Sequence, residues 1–320
     1  MVQVSGREPR IHRRALAAAA VTLLLWASAF VAIRSAGEDY SPGALAFGRL
    51  ATGGLVLAAI WLVRREGWPP RAAWPGIAGS GVLWFGLYMA ALNWAEREVD
   101  AGTAAMVVNI GPMLIALLGG RLLKEGFPTR LLVGIAVAFG GAAVVGVSTS
   151  DGGSTSVGGV ALCLLAAVGY AGGVLSQKPA LRHASALQVT TFGCLIGALA
   201  CAPFSGALVS EVADAPVRST LCVLYLGVFP TALAFTTWAY ALARSTAGRM
   251  SATTYIVPAL VVLMSWILLS EVPGWLSFAG GVICLVGVAI SRGRPGRGRP
   301  AGELKPAATP TTESAEVSRA

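Results

Sequence analysis

The residue best suited to chemistry in this 320-residue chain is Arg49, the only lysine or arginine that lies well inside an apolar stretch. An intramembrane charge is costly and normally faces the interior of a helix bundle or a water-filled cavity. The guanidinium group can bind a carboxylate or a phosphate through two parallel hydrogen bonds. Arg49 is therefore a candidate binding residue for an anionic group of a solute. The alternative is a structural role, in which Arg49 snorkels outward or bonds neighbouring carbonyls.

Two prolines lie at equivalent places inside apolar stretches. Pro112 and Pro258 each fall about ten residues after the start of a predicted span, where proline frees backbone carbonyls and kinks a helix. Interrupted helices near the bilayer centre are frequent at the substrate sites of transporters. We interpret both prolines as gating or site residues, with a simple bend that fits neighbouring helices as the alternative. Asn109 and Tyr255 precede them at equivalent positions and are candidate solute ligands.

Further candidates are aromatic, amide and hydroxyl side chains within apolar stretches, where a buried polar group needs a partner from another helix or from a solute. The candidates for the cavity lining are Trp26, Ser28, Tyr88, Asn93, Tyr170 and Trp238. A wider set of the same kind comprises Trp84, Thr190, Thr231, Thr237 and Thr254. Each of these residues can alternatively join helices or anchor the chain at an interface.

Catalytic and cofactor motifs are absent from the sequence. His12 and His183 fall outside the apolar stretches, and no HExxH, GxSxG or in-membrane aspartate pair occurs. The five cysteines form no close pair, so neither a disulfide nor a metal site is predicted. The GxxxxGK[ST] nucleotide loop is also missing, which argues against ATP-driven transport by this chain alone. We predict no catalytic residue, no metal and no cofactor, and the chain is not expected to be an enzyme.

The elements that must position these residues are transmembrane helices. Hydrophobic residues make up 55% of the chain and charged residues 12%, whereas a soluble domain carries about 25% charged residues. Ten uninterrupted apolar stretches are each long enough to cross a hydrocarbon core of about 30 Å as a helix. They are 15–33, 43–63, 73–94, 102–123, 131–149, 157–177, 186–209, 219–242, 250–270 and 275–291. The predicted fold class is an all-α integral membrane protein with ten transmembrane helices.

The distribution of charge predicts the orientation of these helices. If the N-terminus is cytoplasmic, every inner segment is richer in lysine and arginine than its neighbouring outer loops, as the positive-inside rule requires. The net charge of +9 then marks a cytosolic face that meets anionic lipid, so no nucleic-acid partner is predicted. We predict a multi-pass protein of the cell inner or plasma membrane with both termini in the cytoplasm.

The apolar region is repeated at an offset of 146 residues. The stretch Asn109–Glu125 is similar to Tyr255–Glu271, and Gly81 and Gly227 keep the same offset. The predicted organisation is a cytosolic segment 1–14, a first five-helix repeat 15–149, a second repeat 157–291 and a disordered cytosolic tail 292–320. Because five helices is an odd number, the second repeat is inverted in the membrane relative to the first.

Pairs of glycines spaced four residues apart predict close helix packing. Gly169 and Gly173 form one GxxxG motif, and Gly193 and Gly197 form another. Such small residues allow two backbones to approach closely where lipid offers no hydrophobic driving force. We favour packing within one chain, with a homodimer interface as the alternative.

Several motifs in order resemble one family of membrane proteins. They are WASAFVAIR (Trp26–Arg34), SPGALAFGRL (Ser41–Leu50), the segments that begin at Pro112 and Pro258, and YLGVFPTALAFTTWAYAL (Tyr225–Leu242). Together they resemble the EamA family of the drug/metabolite transporter superfamily over residues 15–291. The resemblance implies two inverted five-helix repeats around a central cavity, with the fifth and tenth helices at the periphery. It also implies transport of amino acids, related metabolites or toxic compounds.

The sequence therefore predicts a secondary transporter of small metabolites, working by alternating access and exporting amino-acid-like or amphiphilic compounds. The alternatives are an importer of similar solutes, and a lipid flippase or membrane scaffold without solute transport. No aspartate or glutamate falls in the middle of a predicted span, and Glu96 is assigned to an outer loop, so the usual proton carrier is missing. Proton coupling through Glu125 or Glu271, at span ends, is an alternative to a purely structural role.

Overall fold

The structure, a computed structural model, describes residues 13–122, 129–147, 156–244, 250, 253–271 and 273–291. The first half contains α1 (Arg13–Ala36), α2 (Pro42–Val63), α3 (Trp74–Ser80), α4 (Met89–Glu98), α5 (Ala101–Val108), α6 (Gly111–Leu122) and α7 (Thr129–Val147). The second half contains α8 (Val157–Ala180), α9 (Ala186–Ala200), α10 (Ser205–Asp214), α11 (Val217–Leu226), α12 (Ala234–Ala243), α13 (Val257–Leu269) and α14 (Trp275–Ser291). Short 3-10 helices cover Arg71–Ala73, Ala202–Phe204 and Thr254–Ile256. The described part of the chain is all-helical and contains no strand.

Five helical stretches in the described ranges are long and apolar enough to cross a bilayer. They are Arg14–Ala36, Pro42–Val63, Arg71–Glu98, Val157–Ala180 and Val217–Ala243. Ala186–Ala200 and Ala202–Asp214 together make a sixth if their 57° bend lies within one span. Shorter apolar helices cover Ala101–Ile115, Val257–Leu269 and Phe278–Gly287. The molecule is thus a multi-pass membrane protein, and the count of ten spans stays a prediction.

Local sequence explains where several helices begin. Ser41 precedes α2, and Pro42 occupies the first turn, where its missing N–H is no loss. The Asp100 carboxylate accepts a hydrogen bond from the Thr103 backbone N–H at 2.8 Å and caps α5. Ser185 and Gln188 form a reciprocal capping box at the start of α9. These caps satisfy N–H groups that have no partner within the helix.

Two π-helical segments interrupt long helices at matching places. The segment π1 (Gly81–Tyr88) joins α3 to α4, and π2 (Gly227–Leu233) joins α11 to α12. Their first residues lie 146 positions apart, the offset of the sequence repeat. A π-helical turn holds an extra residue and redirects the side chains that follow it, and such turns are frequent at functional sites.

Both GxxxG motifs pack inside the molecule, against π1. A Cβ atom on Gly169 would lie 2.7 Å from the Leu83 carbonyl oxygen. One on Gly173 would strike Trp84, and one on Gly197 would strike Phe85. The glycines of α8 and α9 therefore let these helices contact the π1 backbone, which holds the large side chains of π1 in place.

Helices α7 and α14 pack closely on each other through backbone contacts. A Cβ on Gly141 would lie 2.6 Å from both the Cys284 nitrogen and the Gly280 oxygen, and one on Gly287 would lie 2.6 Å from the Gly134 oxygen. The contact is reciprocal, because Gly141 and Gly287 are equivalent positions of the repeat and so are their partners Gly280 and Gly134. The Cys284 thiol, in addition, donates to a carbonyl of α7 at 3.2 Å. All five cysteines are free thiols.

Candidate functional site

A cavity lies among α1, α2, π1, α4, α5, α8, α12 and α13, so both halves of the chain contribute to its wall. It holds about 600 Å³ of empty space, counting the part that is open to solvent. Most lining residues are apolar or aromatic. The polar and charged residues of the lining are Arg49, Tyr88, Asn109, Tyr170 and Thr254. An apolar cavity with a few convergent polar groups is the usual form of a small-molecule site.

Arg49 lines this cavity and is only 2% exposed. Its Nε and Nη2 atoms both donate to the Thr231 hydroxyl in π2, each at 3.3 Å. Helix α2 can approach π2 closely because each contributes a glycine, which has no side chain, to the contact. A Cβ on Gly53 would lie 2.9 Å from the Gly227 oxygen, and one on Gly227 would lie 2.8 Å from the Arg49 oxygen. Among the residues that the structure describes, no carboxylate forms a salt bridge with Arg49.

The two proline segments meet beside the cavity. Pro112 and Pro258 are each the second residue of a helix, α6 and α13, and each follows an interruption of regular α-helix, while their role in gating stays a prediction. The α-helix is interrupted at Asn109 and Ile110, before α6. In the second half the 3-10 helix Thr254–Ile256 precedes α13. A proline in the first turn of a helix loses nothing by lacking an N–H, so the prolines define where the second half-helices begin.

Asn109 joins the two broken helices. Its Nδ2 donates to the Thr254 carbonyl at 3.2 Å. This carbonyl accepts a 3-10 bond from the Val257 N–H, but it cannot accept the usual α-helical bond from residue 258, because proline has no N–H. The Asn109 Oδ1 is buried and finds no hydrogen-bond partner within the described ranges. Because a carbonyl can only accept a hydrogen bond, the Asn109 atom that faces the Thr254 carbonyl must be the nitrogen. The Asn109 oxygen therefore remains available as an acceptor at the cavity.

Aromatic rings form part of the cavity wall. The Trp26 ring lies 5.8 Å from Trp84, 5.3 Å from Phe235 and 4.9 Å from Trp238, measured between centroids. Trp84 extends the cluster to Tyr170 at 5.2 Å. The tilted and edge-on arrangements are those that aromatic pairs prefer. The cluster offers a rigid apolar surface to part of a solute.

The comparison with known proteins decides the family. A profile of the EamA-like transporter family matches residues 13–147 and 157–293, which is most of the chain. The chain belongs to this family. A relative from Streptantibioticus cattleyicolor, named "Probable terminal-alkyne amino-acid exporter", is 36% identical over 90% of this chain and 97% of its own length. This EamA-like protein is therefore a transporter of the drug/metabolite superfamily, acting on a small molecule in a membrane.

Other relatives and one solved structure agree with this family. A Salmonella typhimurium protein named "Probable amino-acid metabolite efflux pump" is 25% identical over 85% of this chain and 93% of its own. The uncharacterized transporter YdfC of Bacillus subtilis is 30% identical over 83% of this chain and 87% of its own. A crystal structure at 21% identity superimposes with a TM-score of 0.58 over 87% of this chain and 96% of its own, which shows the fold alone.

The remaining candidate residues of this EamA-like transporter are divided between the cavity and its surroundings. Tyr88 and Tyr170 line the cavity, as do Trp26 and Asn109. Trp238 is fully buried behind Trp26 and does not line it. The position of Tyr255 lies in a 3-10 helix, but its side chain is outside the described part of the structure.

Ser28 and Asn93 join helices rather than line the cavity. The Ser28 hydroxyl contacts the Leu25 carbonyl at 2.9 Å and the Tyr225 hydroxyl at 2.7 Å. The Asn93 Nδ2 donates to the Pro42 carbonyl at 3.1 Å. Both side chains therefore tie neighbouring helices together, the alternative that the sequence leaves open.

Sequence reasoning misses two kinds of residue here. Phe235 and Phe30 line the cavity, but an apolar side chain in an apolar helix carries no signal that separates cavity from lipid. Glu96, assigned to an outer loop, lies inside α4 and is only 2% exposed. The helical stretch runs from Arg71 to Glu98 because polar residues continue the helix beyond its apolar core. Glu125 lies outside the described residues.

Replacing Asn109 with leucine is expected to lower the free energy of unfolding by about 1 kcal/mol, because the hydrogen bond between the two broken helices is lost while the Thr254 carbonyl keeps the Val257 N–H. The measurement is thermal and denaturant unfolding of the detergent-solubilised transporter. In a Pro258→Ala background the loss should be smaller, since residue 258 then has an N–H for the same carbonyl. Equal losses in both backgrounds would contradict the assigned role of this hydrogen bond.

Proposed function

We propose that this EamA-like transporter is a secondary carrier that exports amino-acid-like solutes from the cytoplasm by alternating access. The observation that carries the proposal is the environment of Arg49. A buried guanidinium lies on an apolar cavity with a hydroxyl partner and, in the described ranges, no carboxylate partner. A buried cation is retained where a charge or a strong acceptor compensates it. The Glu96 carboxyl group interacts with Arg49 electrostatically but forms no salt bridge with it. A solute carboxylate bound to Arg49 supplies the direct compensation.

The other polar groups of the cavity suit the rest of an amino acid. The buried Asn109 Oδ1 can accept a hydrogen bond from the ammonium group. The rings of Trp26, Trp84 and Phe235 offer an apolar surface to the side chain. A zwitterion with a small apolar side chain therefore meets a cation, an acceptor and an apolar wall in one cavity. The names of the relatives from Streptantibioticus cattleyicolor and Salmonella typhimurium favour the same substrate class and the direction of export.

The proposed architecture is ten spans arranged as two inverted five-helix repeats, 15–149 and 157–291, between a cytoplasmic segment 1–14 and a cytoplasmic tail 292–320. Two structural features support it. The segments π1 and π2 begin 146 residues apart, as do α7 and α14. The reciprocal glycine contacts between α7 and α14 are those expected across a pseudo-twofold axis, where a contact between two residues recurs between their equivalents. We place the protein in the inner or plasma membrane.

Counterflow in proteoliposomes tests the function. Vesicles loaded with unlabelled L-propargylglycine, an amino acid with a terminal alkyne, are expected to take up labelled L-propargylglycine in a saturable manner. L-Leucine and L-threonine, added outside in excess, report how far other amino acids compete. Protein-free vesicles are the control. Absence of counterflow for every amino acid in such a panel would reject an amino-acid carrier, and movement of a lipid probe without solute flux would favour a flippase.

The direction of transport is tested in cells. Cells that overproduce the transporter should retain less L-propargylglycine than cells that carry the Arg49→Gln variant. Greater retention would instead indicate import.

Tags on the two termini test the topology, and a periplasmic carboxyl end would reject the proposed ten-span arrangement.

A further inference from the structure

Glu96 is a buried carboxylate whose two side-chain oxygens have no hydrogen-bond partner among the described residues. It lies in α4 and is 2% exposed. Its backbone carbonyl does have a partner, the Arg34 Nη1 atom at 2.7 Å. An ionised carboxylate without hydrogen bonds is strongly disfavoured in such a place, whereas the protonated acid is far less costly to bury. The group is therefore unlike an ordinary structural glutamate.

Three nearby carboxylates have partners in the described structure. Glu98 accepts a hydrogen bond from the Ser156 hydroxyl, and Asp100 accepts from the Thr103 hydroxyl at 2.5 Å. Glu271 forms a salt bridge with Arg34 at 3.0 Å. Glu96 alone among these four carboxylates has neither oxygen engaged in the described structure. The lack of hydrogen-bond partners is therefore a property of the Glu96 position and not of the whole group of carboxylates.

Glu96 lies at the wall of a second, polar pocket. The other residues that line this pocket are Ile33, Arg34, Gly37, Glu38, Asn93 and Arg97. Ile33 lines both this pocket and the central cavity, and Arg49 of the cavity lining interacts electrostatically with Glu96. The buried Asn93 Oδ1 has no partner in the described ranges and is an acceptor for water in the pocket. A proton can thus reach Glu96 from the pocket while the carboxylate lies next to the solute cavity.

The charges that face Glu96 oppose one another. Arg34 from α1 and Arg49 from α2 favour the carboxylate, whereas Glu271 and the Asp100 cap of α5 favour the acid. The titratable groups that face it from π1 and α8 are Tyr88 and Cys163, and the charged neighbours on its own helix are Arg97 and Glu98. An ammonium group bound in the cavity adds to the positive charges and favours the carboxylate form of Glu96 further.

We propose that Glu96 is the proton-binding residue that couples this transporter to the proton gradient, an inference that rests on the proposed carrier function. With the cavity empty, the carboxylate takes a proton from outer water and becomes the neutral acid. When the cavity faces the cytoplasm, the ammonium group of an entering amino acid favours the carboxylate, and the proton passes to cytoplasmic water. One proton enters for each solute that leaves. The position 146 residues later is Leu242, so the second repeat has no equivalent acid.

Proteoliposomes that contain the Glu96→Gln variant test the proposal with L-propargylglycine as the probe. Wild-type protein should accumulate the probe when the vesicle interior is acidic, because outward proton flow drives it inward. At saturating probe the variant should keep counterflow, which needs no net proton movement, to within about twofold. The probe concentration that gives half of the maximal counterflow should rise, because a permanently neutral side chain no longer favours the ammonium group. Its gradient-driven accumulation should fall by at least about tenfold. The matched control is Glu98→Gln, whose carboxylate already has a hydrogen-bond partner and which should behave as wild type.

The outcomes separate this inference from the proposed function. Counterflow in wild type without any response to the pH gradient overturns the coupling role and leaves the carrier intact. Gradient-driven accumulation by Glu96→Gln at the wild-type rate overturns it as well. Loss of counterflow along with accumulation would assign Glu96 to solute binding and also overturn a coupling role. Absence of wild-type counterflow rejects the carrier itself.

A second measurement on wild-type protein serves if the glutamine variant does not fold. Dicyclohexylcarbodiimide reacts with protonated carboxyl groups in apolar surroundings. Mass spectrometry is expected to find its adduct on Glu96 and not on Glu98, with less adduct at alkaline pH and less in the presence of L-propargylglycine. Labelling of Glu96 that the amino acid does not reduce would contradict competition between solute and proton.

Discussion

Replacing Arg49 with glutamine is expected to reduce counterflow of L-propargylglycine by about 100-fold or more while the protein remains folded in the bilayer. The reason is that the proposed solute carboxylate would lie in a desolvated cavity without its cation. Removing one partner of a buried, hydrogen-bonded charge pair costs about 2–5 kcal/mol, which corresponds to a factor of tens to thousands in binding. Glutamine can still bond the Thr231 hydroxyl, so the tie between α2 and π2 is largely retained.

Two further variants make this prediction specific. Arg49→Lys keeps a positive charge but not the planar fork of donors, and should retain a small part of the flux. Arg64 is an exposed cation directly after α2, and Arg64→Gln should leave the flux of L-propargylglycine unchanged. Wild-type flux in Arg49→Gln, with the variant present in the membrane at the wild-type level, would show that Arg49 is only a structural tie.

Replacing Gly141 with valine is expected to destabilise the protein by about 3 kcal/mol and to separate α7 from α14. A Cβ at this position would lie 2.6 Å from backbone atoms of α14, and a backbone cannot turn aside as a flexible side chain can. The reciprocal change at Gly287 should act in the same way, because its Cβ would meet the α7 backbone. Thermal unfolding in detergent, followed by size-exclusion chromatography, measures the loss.

The neighbouring glycine supplies the control. A Cβ on Gly140 meets nothing within 4 Å among the described residues, so Gly140→Val should leave the unfolding temperature nearly unchanged. Equal destabilisation at 140 and 141 would mean that helix propensity, rather than the contact with α14, explains the loss. A stable Gly141→Val protein would contradict the close packing of the two helices.

The sequence and the structure agree most closely where the physical signal is strong. Charge inside an apolar stretch singles out Arg49, and the structure places it on a buried cavity. The repeat places the prolines at equivalent positions, and the structure places each at the start of a helix that follows a break. The exact form of the break was not predictable, because proline is compatible with both a kink and a first turn. Only the backbone path around Asn109 and Thr254 distinguishes the two.

The amino-acid sequence alone established that this chain is a helical membrane protein with an internal repeat. Each apolar side chain in water, and each charge in lipid, has its own free-energy cost, so composition along the chain carries this information. The sequence also indicated the family, through several motifs in order. Tertiary structure alone decided which polar groups have partners. Glu96 and Glu98 are two residues apart in the same helix, yet Ser156 of α8 reaches only the second in the described structure. Hydrogen bonds act over about 3 Å, so partners distant in sequence emerge only when the helices pack.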